Sequence, residues 1–584
     1  MKKYRMPLMF GLTILMLGAY QNISAIEAAK GYSAGAPNSA KLPDYVDQGW
    51  NHETRMEWWY TSQGTWIIPY EWFLALERTE GEELFSSQEN LEQRLRYIGW
   101  PADPKWNPDG LPIGFVKDKD RDGTSYFGVT CAACHTGKVE YTGKSFLTEG
   151  GPAHGDFDRL VTEIGESLQA TLDDDKKFER FASRVLGDKA EPAGVAKLKK
   201  KVEKTLAPLV ERIKVNHPPY PNGYSRLDAF GNIFNEGSVF SINQPVNAKP
   251  ADAPVSIPVV WDAAQHDILQ WNGSAVNAGI GPYTRNTGEV VGVFGDLRVG
   301  ETRVAGTKKL RYEHHIRIRA LERLEVILMT LCSPAWPEAT LPAIDRKKAA
   351  LGKQHYEANC VSCHQPINRS DPKRHIAARM IPVTEVGTDP TMATNVAKSI
   401  GKTGIMEGQP MIPITKWMPG LGVIDPFGPE APTAKVVGNG ILGALRDELG
   451  LVKFMALLPD YIKAAKKNAL YDDCDPKEQG QKCFRPPRYK ARPLNGIWSS
   501  APFLHNGSVP NLSELLKKPG ERVARFHVGR WDFDPVNVGF STEGGPNTSE
   551  FDTSEPNNSN LGHDYGTNLS DNEKSELIEY VKTL

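Results

Sequence analysis

The spacing of apolar residues predicts two long amphipathic helices in the first half of the chain. Between residues 156 and 186 apolar side chains recur every four positions, and between 195 and 213 a second apolar stripe lies opposite a Lys- and Glu-rich face. A period near 3.6 residues is that of a helix with one buried face, so the pattern predicts an inserted helical hairpin. The positions that support this prediction are Leu160, Ile164, Leu168, Leu172, Val195, Leu198, Val202, Leu206, Leu209 and Ile213.

Further helical patterns lie in the second half of the chain. They cover residues 313–331, 345–358 and the C-terminal end of the chain. This last pattern begins at Ser570 and Glu573, which have the spacing of a capping box. Residues 217–300, by contrast, have no helical period and are dense in Pro, Gly, Asn and aromatic residues. Such a length without periodicity is uncommon unless it is functional. The fold class predicted from these patterns is mainly α, with large loop-rich and helical insertions and little β.

The length of the chain indicates how many domains it has, and its net charge bears on which partners it binds. A chain of 584 residues predicts two or three domains. The formal net charge of −2 gives no general case for binding nucleic acid or an anionic membrane.

The pentad C-x-x-C-H occurs twice, at Cys131-Ala-Ala-Cys134-His135 and at Cys360-Val-Ser-Cys363-His364. This is the attachment signature of c-type haem: two thiols form thioethers with the haem vinyl groups, and the adjacent His ligates the iron. The alternatives are a zinc site, which needs further paired ligands nearby, and a redox dithiol, which does not need the His. The spacing therefore predicts two covalently bound haem c groups, with His135 and His364 as axial ligands.

The first 25 residues have the pattern of a signal peptide. Lys2, Lys3 and Arg5 precede an apolar stretch, and Ile23-Ser24-Ala25 offers a small-residue cleavage site. An uncleaved anchor is the alternative. Export to the periplasm or beyond, without a stable membrane span after cleavage, agrees with c-type haem attachment. It also agrees with a disulfide between Cys474 and Cys483 in a polar loop.

The motifs and patterns together predict three segments. Residues 1–25 form the signal peptide, 26–335 an N-terminal haem c domain with the helical hairpin and the loop-rich insertion, and 336–584 a C-terminal cytochrome c domain. A Trp- and Tyr-rich stretch from 42 to 77 is interpreted as a helical hairpin packed on the first haem domain, and the alternative is a wall of its haem pocket.

Three stretches resemble the bacterial dihaem cytochrome c peroxidase superfamily. They are Gly128–Gly137, Tyr224–Phe230 and Ala501–Val509, the last reading Ala-Pro-Phe-Leu-His-Asn-Gly-Ser-Val. The length and the large segment between the motifs are most similar to the rubber-oxygenase-like branch, which includes fatty-acid dioxygenases. The resemblance implies two haem domains, with substrate chemistry at the N-terminal haem and electron storage at the C-terminal one.

Two oxidoreductase activities follow from this resemblance. One is a dioxygenase that activates O2 at the N-terminal haem on an apolar alkene, an unsaturated fatty acid or a polyisoprenoid. The other is a peroxidase that reduces hydrogen peroxide with electrons from a small redox protein. Typical peroxidases of the superfamily use Met as the sixth ligand of the second haem, whereas His505 stands in the matching motif here. Met/His ligation raises the haem potential, so His505 as a ligand weakens the peroxidase interpretation.

Two further features of the sequence are weaker indications of binding sites. Trp261, His266 and Trp271 of the loop-rich segment are expected neighbours of the first haem pocket, where aromatic residues would favour an apolar substrate. Asp118, Asp120, Asp122 and Gly123 open like a calcium loop, but position twelve is Val129 instead of Glu. A solvated turn is therefore favoured over a calcium site.

Overall fold

The computed structural model describes residues 44–304, 307–413, 417–418, 422–423, 425–468 and 486–584. The predicted signal peptide and the predicted disulfide between Cys474 and Cys483 lie outside the described residues. Within the described ranges no helix is both long and apolar enough to cross a membrane.

Helices and short strands are interspersed along the described parts of the chain. The helices are α1 His52–Tyr60, α2 Tyr70–Ala75, α3 Cys131–Cys134, α4 Phe157–Asp173, α5 Asp175–Leu186, α6 Pro192–Asn216, α7 Ala229–Asn235, α8 Gly281–Gly292, α9 Ile318–Leu328, α10 Arg346–Asn359, α11 Val383–Val386, α12 Thr391–Lys398, α13 Thr433–Leu449, α14 Leu451–Lys467, α15 Leu512–Leu515 and α16 Asp571–Thr583. Two short π-helical segments, Glu89–Arg94 and Glu236–Phe240, lie between them.

The strands are short and pair mostly as local hairpins. They are β1 Asp44–Tyr45, β2 Ile68–Pro69, β3 Phe115–Lys119, β4 Ser125–Val129, β5 Thr136–Tyr141, β6 Lys144–Glu149, β7 Arg226–Leu227, β8 Val255–Ser256, β9 Ile268–Leu269, β10 Ala275–Val276, β11 Leu297–Val304, β12 Thr307–His314, β13 Arg379–Pro382, β14 Ile400–Lys402, β15 Trp417–Met418, β16 Gly422–Val423, β17 Glu430–Pro432, β18 Arg488–Ala491, β19 Arg525–Val528, β20 Phe533–Asp534, β21 Gly539–Phe540 and β22 Ser549–Asp552. Sheets β1-β6-β5 and β2-β4-β3 have three strands, and the remaining described sheets have two.

The prediction of a mainly α fold with little β is wrong. The described residues are 41% helix and 18% strand, which makes this a mixed α/β protein. The predicted helices could be recognised in the sequence because each of them buries one face over several turns. Many of the strands have only two to six residues, which is too short for the apolar–polar alternation to stand out from a loop.

The predicted helical hairpin is present as three helices. α4 and α5 occupy the first apolar pattern, and α6 occupies the second. The first pattern breaks at Asp174, whose carboxylate accepts the amide hydrogens of Lys176 and Lys177 and so caps α5. The apolar faces pack with β2, β3 and β4 into one buried cluster, which anchors the hairpin to the body of the first half.

The second motif is carried by two helices that cross at very close range. α10 runs directly into Cys360, and α16 begins at the Ser570–Glu573 capping box predicted from the sequence. Gly352 makes the crossing possible, because a Cβ at this position would lie 1.9 Å from the carbonyl oxygen of Glu576. His355 adds a contact with the Glu576 carboxylate at 3.0 Å.

Two hydrophobic clusters draw on both of the predicted haem domains. One joins α8 of the loop-rich segment and the β11–β12 hairpin that follows it to α13 and α14 from the second half. The other surrounds α10 and α16 but also includes Val46, Val139 and Phe146 from the first half. The boundary at residue 335 stays a prediction, and apolar packing continues across it.

Candidate haem-binding sites

The first C-x-x-C-H motif forms one helical turn that is held by Thr130. The Thr130 hydroxyl donates to the Trp59 carbonyl at 2.9 Å and accepts the amide hydrogen of Ala132 at 3.3 Å. Gly114 lies against the turn with φ of 83°, and a Cβ there would fall 2.2 Å from the Ala133 nitrogen. Backbone therefore holds the motif on two sides, and its two thiols are free.

His135, the predicted axial ligand, is neutral at physiological pH. Burial lowers the pKa of its imidazole to about 4. The Pro258 carbonyl opposes this shift without completing a hydrogen bond, so Nδ1 has no partner among the described residues. A neutral imidazole is the form that ligates a metal.

An aromatic cluster surrounds the first motif. Cys131 and Ala132 pack into it, and α1 supplies several of its aromatic side chains, so this part of the Trp-rich stretch packs against the motif. Its role as a wall of the haem pocket stays a prediction. The cluster excludes water from one side of the motif. Its aromatic and larger aliphatic members include Trp50, Met56, Trp58, Trp59, Ile98, Trp100, Val116 and Trp261.

A carboxylate approaches the first motif from α8. Burial raises the pKa of the Cys131 thiol to about 11 and of the Cys134 thiol to about 12, and Glu289 adds to both shifts. Burial likewise raises the pKa of Glu289 to about 7, and Gln270 donates a hydrogen bond to its carboxylate. The Glu289 carboxyl, which can bind and release a proton near neutral pH, thus lies near both thiols of the motif. Sequence reasoning missed it because nothing in the sequence relates position 289 to 131.

The second motif is tied down on both sides of His364. Tyr356 of α10 donates its hydroxyl hydrogen to the His364 carbonyl. The His364 ring donates from Nδ1 to the Arg492 carbonyl at 2.7 Å, which leaves Nε2 for a metal. This bond fixes the tautomer that an axial ligand requires.

A cavity of about 210 Å³, partly open to solvent, lies next to the second motif. Both thiols and the imidazole of the motif line it, so a cofactor bound there would contact all three side chains. Most of the lining is apolar, and Leu577, Ile578 and Val581 of α16 belong to it. The polar and ionisable side chains in the lining include Cys360, Cys363, His364, Tyr489, Lys490, Arg492, His505, His563 and Tyr565.

His563 faces His364 across this cavity. The centroids of the two imidazole rings are 6.2 Å apart, with 46° between the ring planes. Two imidazoles on one metal, each nitrogen about 2 Å from it, have centroids about 6 Å apart. Burial lowers the pKa of His563 to about 4, and its Nδ1 has no partner among the described residues. Sequence reasoning missed His563, because a lone His far from either motif gives no signal.

The loop that carries His563 is held by Arg522. The Arg522 guanidinium donates to the carbonyls of Asn560, Gly562 and His563 at 2.5, 2.8 and 3.2 Å, and to that of Leu515 at 3.2 Å. His563 has φ of 52°, in the left-handed region that non-glycine residues rarely adopt. A buried guanidinium therefore fixes a strained loop whose side chain faces His364.

His505 lines the same cavity but stacks on a different neighbour. Its ring lies 4.0 Å from that of Tyr489, centroid to centroid, and its carbonyl accepts the Ser256 amide hydrogen at 2.8 Å. Burial lowers the pKa of His505 to about 3. Its role as the sixth ligand stays a prediction, and the cavity holds a second candidate in His563.

The three predicted pocket neighbours occupy different places. Trp261 lies in the aromatic cluster of the first motif, and its indole donates to the Asn495 carbonyl at 3.1 Å. Asn495 in turn bonds through its side chain to the backbone of Ile367, three residues after His364, so Trp261 links the two motifs. His266 is buried, and Trp271 lines the cavity of the second motif.

The segment around Asp120, for which the sequence favours a solvated turn over a calcium site, forms the turn between β3 and β4. The Asp118 carboxylate accepts hydrogen bonds from the Trp66 indole at 2.7 Å and from Arg317 at 3.0 Å. Among the described residues no group of three His, Cys, Asp or Glu side chains is arranged to hold a metal ion.

The residues at both motifs fit haem c. Each motif offers two free thiols and a neutral imidazole, and the second adds a mostly apolar cavity and an opposing imidazole. Cys360 has the same environment as the first pair, because burial raises the pKa of its thiol to about 11. Cys332, the remaining described cysteine, is free and half-buried.

Comparison with known proteins supports a cytochrome relationship. A family model described as RoxA-like, cytochrome c-like matches residues 488–527, the stretch that contains His505. The uncharacterized protein y4iJ of Sinorhizobium fredii is 30% identical over 642 aligned positions that cover 99% of each chain. The chain belongs to the same family as y4iJ. The uncharacterized protein y4iM of the same organism is 21% identical over 389 positions, 62% of this chain and 72% of its own. The cytochrome match identifies this chain as a haem-containing oxidoreductase with haem c as cofactor.

Proposed function

We propose that this protein is an exported dihaem oxidoreductase that acts as a dioxygenase on an apolar alkene, an unsaturated fatty acid or a polyisoprenoid. Cys131, Cys134 and His135 would hold the haem at which O2 binds. Cys360, Cys363 and His364 would hold a second haem that stores and transfers electrons. The observation that carries this proposal is the 6.2 Å separation of the His364 and His563 rings.

The opposed imidazoles of His364 and His563 imply different roles for the two haem sites. A haem with two His ligands has no exchangeable position, so substrate chemistry falls to the first motif. Ligation by two His also gives a lower potential than Met/His ligation, which weakens a peroxidase function that must store an oxidising equivalent.

The chain's residues at the first motif suit an apolar substrate. When bound, haem iron with an open position supplies O2 coordination. The protein's part is to hold His135 neutral on one side and to exclude water with the aromatic cluster around Cys131. Such a lining favours an alkene over a small polar peroxide.

Glu289 favours a second candidate function, peroxide reduction. Reducing one hydrogen peroxide to two waters consumes two electrons and two protons, and a carboxyl group with a pKa of about 7 beside the first motif could deliver protons. A dioxygenase that places both oxygen atoms in its product needs no such delivery. The two functions therefore differ in their dependence on Glu289.

The test compares O2 uptake with peroxide turnover. Wild-type protein should consume O2 with oleate or polyisoprene without an added electron donor, and Glu289→Gln should retain most of that rate. Glu301→Gln, an exposed carboxylate on β11, is the matched control. If O2 is not consumed while peroxide is reduced at a rate that depends on a reduced cytochrome or copper protein, and Glu289→Gln lowers that rate about 100-fold, the peroxidase function replaces the proposal.

A further inference from the structure

The cavity beside the second motif has an unbalanced charge. Apart from its histidines, the ionisable side chains of its described lining that carry charge are Lys490 and Arg492, and this lining contains no Asp or Glu. Both cations come from one extended stretch, at the end of β18 and just after it. Residues two apart on a strand face the same side, so both side chains approach the cavity together.

Neither cation has a carboxylate partner within ion-pair distance among the described residues. The Lys490 ammonium lies 3.5 Å from the Ile268 carbonyl, and the Arg492 guanidinium donates to the Val259 carbonyl at 3.3 Å. The nearest acidic groups are engaged elsewhere. Asp262 pairs with Arg374 at 2.6 Å, and Asp267 accepts the Ala378 amide hydrogen at 2.8 Å.

This arrangement is costly without a counter-ion. Burial lowers the pKa of Lys490 to about 7, and that of Arg492 to about 10, because a charged group loses hydration in the interior. Buried charges in proteins are normally paired, so two negative groups bound in the cavity would stabilise the charged forms of both side chains.

We propose that Lys490 and Arg492 bind the two propionate groups of the haem attached at Cys360 and Cys363. The inference rests on the proposed second haem and extends it to named side chains. Haem c has two carboxylates at the edge away from its thioether bonds, which matches two cations in charge and in number. The backbone of Arg492 already holds the ring of His364, so one residue would orient both the axial ligand and the opposite edge of the cofactor.

The pairing also has a redox consequence. A cation beside a propionate cancels its negative charge and thereby favours the reduced iron, which has one positive charge less than the oxidised iron. Removing either cation should lower the reduction potential of the six-coordinate haem. His266 lies close enough to both cations for each to lower its pKa, so the same charges act on the interior of the loop-rich segment.

The experiment uses the exported holo-protein and the variants Lys490→Met, Arg492→Met and the double variant. Lys353→Met on the outer face of α10 makes the same chemical change outside the cavity. Resonance Raman spectroscopy of the propionate bending band and a redox titration of the low-spin haem are the two measurements. The band should shift and the potential should fall in each single variant, further in the double variant, and not in Lys353→Met. Lys490→Arg and Arg492→Lys, which keep the charge, should return the potential toward the wild-type value.

Three results would overturn the assignment or locate its failure. An unchanged propionate band in the double variant, with two haems per chain still attached, rejects Lys490 and Arg492 as partners. An oleate-induced spectral shift that the double variant abolishes, with the propionate band unchanged, would assign the cations to a free carboxylate instead. A haem count that is the same in wild type and in Cys360→Ala/Cys363→Ala would rule out the second haem, and the proposed function would then fail together with this inference.

Discussion

The imidazoles of His364 and His563 lie with their centroids 6.2 Å apart on facing walls of one cavity. His364 was predictable from the sequence, because it is the last residue of its C-x-x-C-H motif. His563 comes from a loop in which Arg522 donates hydrogen bonds to three carbonyls.

Replacement of His563 should open the second haem. In His563→Ala the low-spin iron loses its sixth ligand, so its electron paramagnetic resonance signal should become high-spin, and added imidazole should restore the low-spin signal. His505→Ala is the matched control, because His505 lines the same cavity but stacks on Tyr489. The reverse pattern, with only His505→Ala becoming high-spin, would return the ligand role to His505.

Loss of Arg522 should loosen His563 without removing it. Arg522→Met leaves several buried carbonyls without their donor, which should lower the free energy of unfolding by about 2–4 kcal/mol and produce a mixture of low-spin and high-spin iron. Arg525→Met removes exposed ion pairs with Glu550 and Asp552, which contribute less than about 1 kcal/mol. Chemical denaturation and spin-state spectra check both effects. A purely low-spin spectrum in Arg522→Met would show that the loop holds His563 without this residue.

Each cysteine motif should account for one haem. Cys131→Ala/Cys134→Ala and Cys360→Ala/Cys363→Ala remove both thioether bonds at their sites, and pyridine-haemochrome counting should fall from two haems per chain to about one in each double variant. Cys332→Ala, a free cysteine outside the motifs, should leave the count at two. A variant that keeps two covalent haems would exclude its motif as an attachment site.

A buried carboxyl group should make stability depend on pH. Burial and the neighbouring Asp156 raise the pKa of Asp158 to about 8, well above its unfolded value near 4. Between these values the folded state binds more protons than the unfolded state, so stability falls as the pH rises from about 4 to about 8.

Asp158→Asn should remove this pH dependence. The Asn222 amide donates to Asp158, and its Oδ1 has no partner among the described residues, so it can turn to accept from the new Asn. Thermal unfolding should show the variant more stable than wild type by a few degrees at pH 8 and equal to it at pH 4. Equal unfolding temperatures at both pH values would mean that Asp158 is ionised in the folded protein.

Helices were predictable where a stripe of side chains repeats over several turns. α6 follows the stripe from Val195 to Ile213, and α16 follows its capping box. β7, β8, β9 and β10 were not predictable, because each has two residues and takes its partner from a distant or irregular stretch. Pairing of that kind is decided by tertiary packing and leaves no local period.

The candidate sites were predictable only where chemistry fixes sequence spacing. Two thiols and an imidazole must reach one porphyrin, so Cys360, Cys363 and His364 stand within five positions. The opposing ligand and the counter-ions of a cofactor obey no such rule. His563 and Lys490 are brought to the cavity by the fold, and the sequence around each resembles any polar loop or strand.

The hydrophobic cluster that joins α8 and the β11–β12 hairpin to α13 and α14 has a practical consequence. Domains that share a large apolar interface do not swing against each other. The distance between the two C-x-x-C-H motifs is therefore set once, when the chain folds, instead of being changed by a hinge. A fragment cut at residue 335 would expose the apolar faces of α13 and α14 to water, so the two halves are expected to aggregate when they are produced separately.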